Sequence, residues 1–136
     1  MKIWLAASTA FLAIAFANHA REQETISGNA NHGAYLVERA LMCIQCHSPR
    51  EQKGNLIPSQ LFMGAPIPVT PPAWATNWAL LAPRIAGLPA YTEEDALRLL
   101  ARGIARTGAP PRSPMPPFRL SDQDAHDIYA FLMSLR

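Results

Sequence analysis

Twelve of the thirteen prolines fall between Pro58 and Pro117, and the thirteenth is Pro49. Proline fixes φ and donates no backbone hydrogen bond, so neither a long helix nor a sheet interior tolerates that density. The middle of the chain is therefore expected to be mostly loop, and regular structure has to come from the flanks. With 136 residues there is room for one domain. The formal net charge is +2, which gives no bulk-charge argument for nucleic-acid binding.

The N-terminus reads differently. Met1-Lys2 is a short positive start, and Ile3 to Ala17 is uncharged and almost wholly apolar. Ala15-Phe16-Ala17 is a small-x-small cleavage pattern. The whole reads as a secretory signal peptide over 1–17, with Ala20 as the alternative last residue removed. The run falls short of the ~20 residues that span a bilayer comfortably. An uncleaved membrane anchor is the alternative. Cleavage leaves a domain over 18–136 without a spanning segment, working in a periplasm.

The two cysteines, Cys43 and Cys46, belong to Cys43-Ile44-Gln45-Cys46-His47. In an oxidising compartment they are candidates for a disulfide. A 43–46 bridge closes so small a loop that it constrains the unfolded chain little. A redox dithiol belongs beside a βαβ pattern, which is absent from this sequence. A structural zinc site wants four ligands, and no second Cys or His pair exists. Cys-x-x-Cys-His is the attachment signature for c-type haem. Two thiols one helical turn apart form thioethers to one haem edge, and the adjacent imidazole of His47 reaches the iron. Attachment after export fits the leader.

The iron's other face needs a ligand if the group is to move electrons rather than bind gases. Thioether sulfur is a common partner of histidine and raises the reduction potential. Met42 adjoins Cys43, and Met133 sits in a helical pattern that favours a core role. Met115 lies in "SPMPPF" between Pro114, Pro116 and Pro117, which stiffen the backbone around it. Met115 is the expected distal ligand; Met63, His32 or an open position are the alternatives. Trp74 and Trp78 either pack at the haem edge or fill the core, and a buried indole N–H would seek an acceptor such as a haem propionate.

Three helices are expected. The first spans 33–45, with Tyr35, Leu36, Ala40 and Cys43 at helical spacing. The second spans 93–102, opened by the capping pattern "TEED" from Thr92 and closed by Gly103. The third follows the "SDQD" cap at Ser121 and runs nearly to the C-terminus, with Ala125, Ile128, Tyr129, Leu132 and Leu135 on one face.

Together the haem motif, the "PMPPF" loop and the terminal amphipathic helix resemble the class I c-type cytochromes. The resemblance covers 18–136. It implies an all-α fold of three main helices, with a Pro-rich loop region wrapped around one covalently bound haem c. It implies thioethers at Cys43 and Cys46, with His47 and Met115 as the proximal and distal iron ligands. It also implies that the first and last helices cross, bringing the Tyr35 region against Tyr129 and Leu132. Between Tyr35 and Cys43 the chain carries one residue more than the family pattern.

More narrowly, "GAYLVERALMCIQCHSPR" resembles small cytochrome subunits that accept electrons from periplasmic dehydrogenases. The implied function is one-electron transfer from a dehydrogenase to an oxidase or another cytochrome, with no enzymatic activity of its own. A permanently bound subunit of a dehydrogenase complex is the alternative. An open-site haem protein for gas binding or peroxidase-like chemistry is a third reading. Arg84, Arg98, Arg102, Arg106, Arg112 and Arg119 outnumber Glu93, Glu94 and Asp95 in that half of the chain, and either steer an acidic partner or simply solubilise the protein.

Overall fold

The computed structural model describes residues 26–135, so the expected leader over 1–17, and its alternative end at Ala20, lie outside the described residues. The fold is helical, with a single two-residue strand pair.

Helix α1 spans Ala30–Tyr35 and is capped by Asn29, whose side chain accepts from the Asn31 and His32 amides. It continues as a π turn over Leu36–Ala40, closed by the Leu41 amide donating to the Leu36 carbonyl at 2.7 Å. Met42 then takes a left-handed conformation, φ 56°, and a separate short helix α2, Cys43–His47, begins. The single helix expected over 33–45 is thus corrected: it starts earlier and is broken before the cysteines. The buried positions shift with it. Gly33 and Val37 face inward, while Tyr35 and Ala40 of the expected stripe are exposed.

A 3-10 turn, Pro58–Gln60, and the strands β1 (Ala65–Pro66) and β2 (Leu81–Ala82) punctuate the Pro-rich tract. The strands are antiparallel, pairing Ala65 with Ala82 and Pro66 with Leu81. Helix α3 spans Glu93–Arg102. The Thr92 hydroxyl accepts from the Asp95 amide, and Gly103 at φ 62° ends the helix in the left-handed conformation that glycine adopts without strain. Helix α4 spans Asp122–Ser134, with the Ser121 hydroxyl accepting from the Asp124 amide.

Val37, Phe62, Ala96, Leu100, Ala125, Ile128 and Leu132 form the buried core. The first and last helices do cross, but Tyr35 is not the contact. A Cβ on Gly33 would sit 2.0 Å from the Asp127 carbonyl oxygen, so only glycine permits this approach. Tyr35 turns outward and stacks on His32.

Beside the crossing lies a buried carboxylate. Asp127 is 3% exposed and accepts from the Asn29 amide at 2.6 Å and from Gln123 Nε2 at 2.8 Å, with His32 Nδ1 at 2.8 Å. Burial works to raise its pKa, but those bonds and the His32 charge outweigh it and hold the carboxyl below its ordinary value. No helix among the described residues is long and apolar enough to cross a membrane.

Candidate functional site

The short helix α2 delivers Cys43, Cys46 and His47 to one cavity of about 400 Å3. That volume lies within the range of small-molecule and cofactor sites, ~300–1,000 Å3. Its walls are mostly apolar: Val37, Leu88, Leu99, Leu100, Ile128 and Leu132 come from the core. Pro114, Met115 and Pro116 line it from a separate segment. Residues 72 positions apart in sequence, Cys43 and Met115, therefore face the same space.

Of the other sulfur and imidazole candidates, Met42 also lines the cavity but is 45% exposed. Met63 is exposed and Met133 packs against the core; neither lines it. His32 is engaged by Asp127 on α4 and also lies outside the lining.

His47 is held from two directions. Its Nδ1 lies 2.8 Å from the Pro83 carbonyl, an arrangement that makes Nδ1 the protonated nitrogen and leaves Nε2 with its lone pair. Its own carbonyl accepts from the Gly64 amide at 2.8 Å. Gly64 and Pro83 flank the β1–β2 pair, so the two short strands act as a bracket around the histidine. Burial lowers the His47 pKa and the Pro83 bond opposes this only in part, so the ring is neutral near pH 7. Neutral imidazole is the metal-binding form.

The following residue extends the bracket. Ser48 is 1% exposed, and its hydroxyl accepts from the Phe62 amide at 2.9 Å. Phe62 is buried at φ 61° and packs edge-on against Phe131 of α4, with ring centroids 5.9 Å apart. Neither Pro83, Ser48 nor Phe62 was marked by sequence reasoning. Only a carbonyl, a small hydroxyl and a lone aromatic were available there, and no short motif encodes them.

The thiols are free and partly buried. Burial pushes Cys43 up to about 11, with the Cys46 charge adding to it and a backbone bond opposing. A redox dithiol needs a depressed thiol pKa, so this site is a poor thiol–disulfide exchanger.

The residues present fit a haem. The cavity is apolar where a porphyrin face would lie, and it presents two thiols, a neutral imidazole and a thioether. Trp78, next to the cavity-lining Ala79, has a buried Nε1 with no hydrogen-bond partner among the described residues. An acceptor such as a propionate would satisfy it. Trp74, by contrast, is 81% exposed and contributes nothing to the core.

The expected arginine group divides. Arg98 pairs with Asp95 and Glu94, and Arg102 with Asp122. Arg84, Arg106, Arg112 and Arg119 donate to backbone carbonyls or Asn77, with no carboxylate partner among the described residues. Four of the six arginines thus have no carboxylate partner among the described residues.

Comparison with known proteins places these features in a family. Residues 30–136 match the family model described as Cytochrome c. The chain is 34% identical over 132 residues to the cytochrome c subunit of a quinone alcohol dehydrogenase from Gluconobacter oxydans (strain 621H). The match covers 95% of this chain and 26% of that protein, so the chain spans about a quarter of the relative's length.

Proposed function

The chain belongs to the cytochrome c family, and from that premise we propose a periplasmic one-electron carrier whose iron is held by His47 and Met115. Family membership makes it an electron-transfer protein with a covalently bound haem c and its iron. Bound haem supplies a reversible Fe(II)/Fe(III) couple.

The observation that carries the reading is the shared cavity: Cys43, Cys46 and His47 line it from α2, and Met115 lines it from the proline-framed loop. In this reading Cys43 and Cys46 form the two thioethers. His47 offers Nε2 because the Pro83 carbonyl holds the other ring nitrogen. Met115 offers sulfur from a backbone that Pro114 and Pro116 have already restricted, so pinning it loses little entropy. The apolar walls exclude water and, with His/Met ligation, favour a raised potential. Trp78, whose buried Nε1 has no partner among the described residues, would offer a donor to a propionate.

The electron donor in this reading is a dehydrogenase. The relative's role as a dehydrogenase subunit supports it, and so does the surface. Leu81 lines the cavity and is 68% exposed; Leu80, Val69 and Trp74 continue outward along the same hairpin at 70%, 50% and 81% exposure. Exposed apolar side chains beside the cavity favour a lasting complex over brief collisions. A fixed subunit is therefore the second reading, with the same chemistry at the iron.

Carbon monoxide and azide test the ligation. The native holoprotein is expected to resist both until Met115 is removed in Met115→Ala, which then binds them. Ready binding by the native protein overturns His/Met ligation and favours the open-site reading.

A further inference from the structure

Arg112 lies three residues before Met115, yet its side chain is committed elsewhere. Nε donates to Asn77 Oδ1 at 2.9 Å, and NH2 donates to the Trp78 carbonyl at 2.6 Å. The planar fork of a guanidinium matches two acceptors in this way, whereas an ammonium is a single point of donation. The backbone on both sides completes the connection. The Ala79 amide donates to the Ser113 carbonyl at 2.7 Å, and Trp78 and Ser113 form a parallel bridge. The Met115 amide donates to the carbonyl of Arg112 itself at 3.2 Å. One residue thus ties Asn77 and Trp78, next to the cavity-lining Ala79, to the segment that carries Met115.

This tie has few alternatives. Pro110, Pro111, Pro114, Pro116 and Pro117 donate no backbone hydrogen bonds, and no regular element covers 103–120. With no carboxylate partner among the described residues, Arg112 is free to serve neutral acceptors.

We propose that Arg112 is the positioning residue of the methionine loop: its fork fixes Met115 and Trp78 relative to one another. The clamp itself is a claim about loop order. Its consequence for the iron rests on the His47/Met115 reading, and the experiment separates the two.

Three variants of the full holoprotein are compared with the native form: Arg112→Gln, Arg112→Lys and Asn77→Ala. Amide hydrogen exchange is followed at Ala79, Met115 and Ile128. Losing charge-assisted bonds to two acceptors is expected to speed exchange at Ala79 and Met115 by about tenfold in Arg112→Gln, with Ile128 on α4 unchanged. Arg112→Lys keeps the charge but not the fork and is expected to be nearly as loose. Asn77→Ala removes one acceptor and falls between.

Unchanged exchange at both amides in Arg112→Gln, or native exchange in Arg112→Lys, overturns the clamp. The second readout is the ferric sulfur–iron band at the red end of the visible spectrum, followed against urea. In Arg112→Gln it is expected to fade at lower urea than in the native protein, while helical circular dichroism is lost at the native midpoint. A band as resistant as the native one despite faster exchange overturns the positioning role. Faster exchange with no such band in any of the proteins leaves the clamp standing and removes the His47/Met115 ligation.

Discussion

Two regions of this molecule are held together by different physics. The helical frame of α1, α2, α3 and α4 is fixed by buried apolar side chains and one close backbone crossing. The tract over 48–92 and the loop over 103–120 have no long helix; Phe62, Ala86 and Leu88 anchor the tract in the core, and hydrogen bonds to backbone carbonyls, from His47, Arg84, Arg106 and Arg112 and from loop amides, hold the rest. The charges differ too. No acid occurs between Glu51 and Glu93 or between Asp95 and Asp122, so the acids cluster on the frame. Both regions can be damaged through volume, but the tract is also damaged through loss of single donors. In the proposed site the frame's short helix gives one iron ligand and the tract gives the other.

Damage to the frame should be the larger effect. Ile128 is 1% exposed in the middle of α4. Ile128→Ala is expected to lower stability by about 2–5 kcal/mol, read from the urea midpoint of the holoprotein. A loss under about 0.5 kcal/mol would place Ile128 outside the load of the frame.

Asp127→Ala comes next. It removes the buried carboxylate that accepts from the Asn29 amide, from Gln123 Nε2 and from His32, and losing these charge-assisted bonds is expected to cost about 1–3 kcal/mol. The pH dependence has a definite sign. The folded carboxyl sits below its unfolded value near 3.8, so its contribution is complete above that value and is lost as pH falls through the folded pKa. The native protein should therefore lose more stability than Asp127→Ala on acidification below pH ~4. Parallel acid profiles for the two proteins would remove this ionisation as the cause.

Gly33→Ala probes the crossing itself. The new Cβ meets backbone rather than a movable side chain, and separating α1 from α4 is expected to cost about 1–3 kcal/mol. The smallest frame effect is Thr92→Ala, at about 1 kcal/mol for a lost cap. On the tract, Trp74→Ser is expected to change stability by less than about 0.5 kcal/mol, because the indole is almost fully exposed. The same variant should weaken electron uptake from a dehydrogenase, measured by the rate of haem reduction. Equal rates would remove Trp74 from docking.

The contrast also governs what was legible in the sequence. The second helix was readable at both ends and the last at its start, because Thr92, Ser121 and Gly103 are local signals with local consequences. The first helix was misjudged over 33–45, because a π turn over Leu36–Ala40 and the left-handed Met42 break it and place Gly33 and Val37 inward while Tyr35 faces out. The Cys43–His47 motif and the proline-framed Met115 were singled out by local pattern, and the structure places both on one cavity. The bracket of Pro83, Gly64, Ser48 and Phe62 was not, since backbone carbonyls carry no sequence identity. Nor was the pairing of Arg98 and Arg102 with acids, which left four of the six arginines uncompensated. Asp127 was masked by its place on an amphipathic helix, where an acid reads as solvent-facing.

The central claim is that the frame and the tract each supply one ligand to the same iron. Ferric spectra of Met115→Ala and Met63→Ala beside the native holoprotein test it most directly. The account predicts a low-spin native spectrum with a sulfur–iron band that Met63→Ala keeps and Met115→Ala loses. A band retained in Met115→Ala, or lost in Met63→Ala, would contradict it.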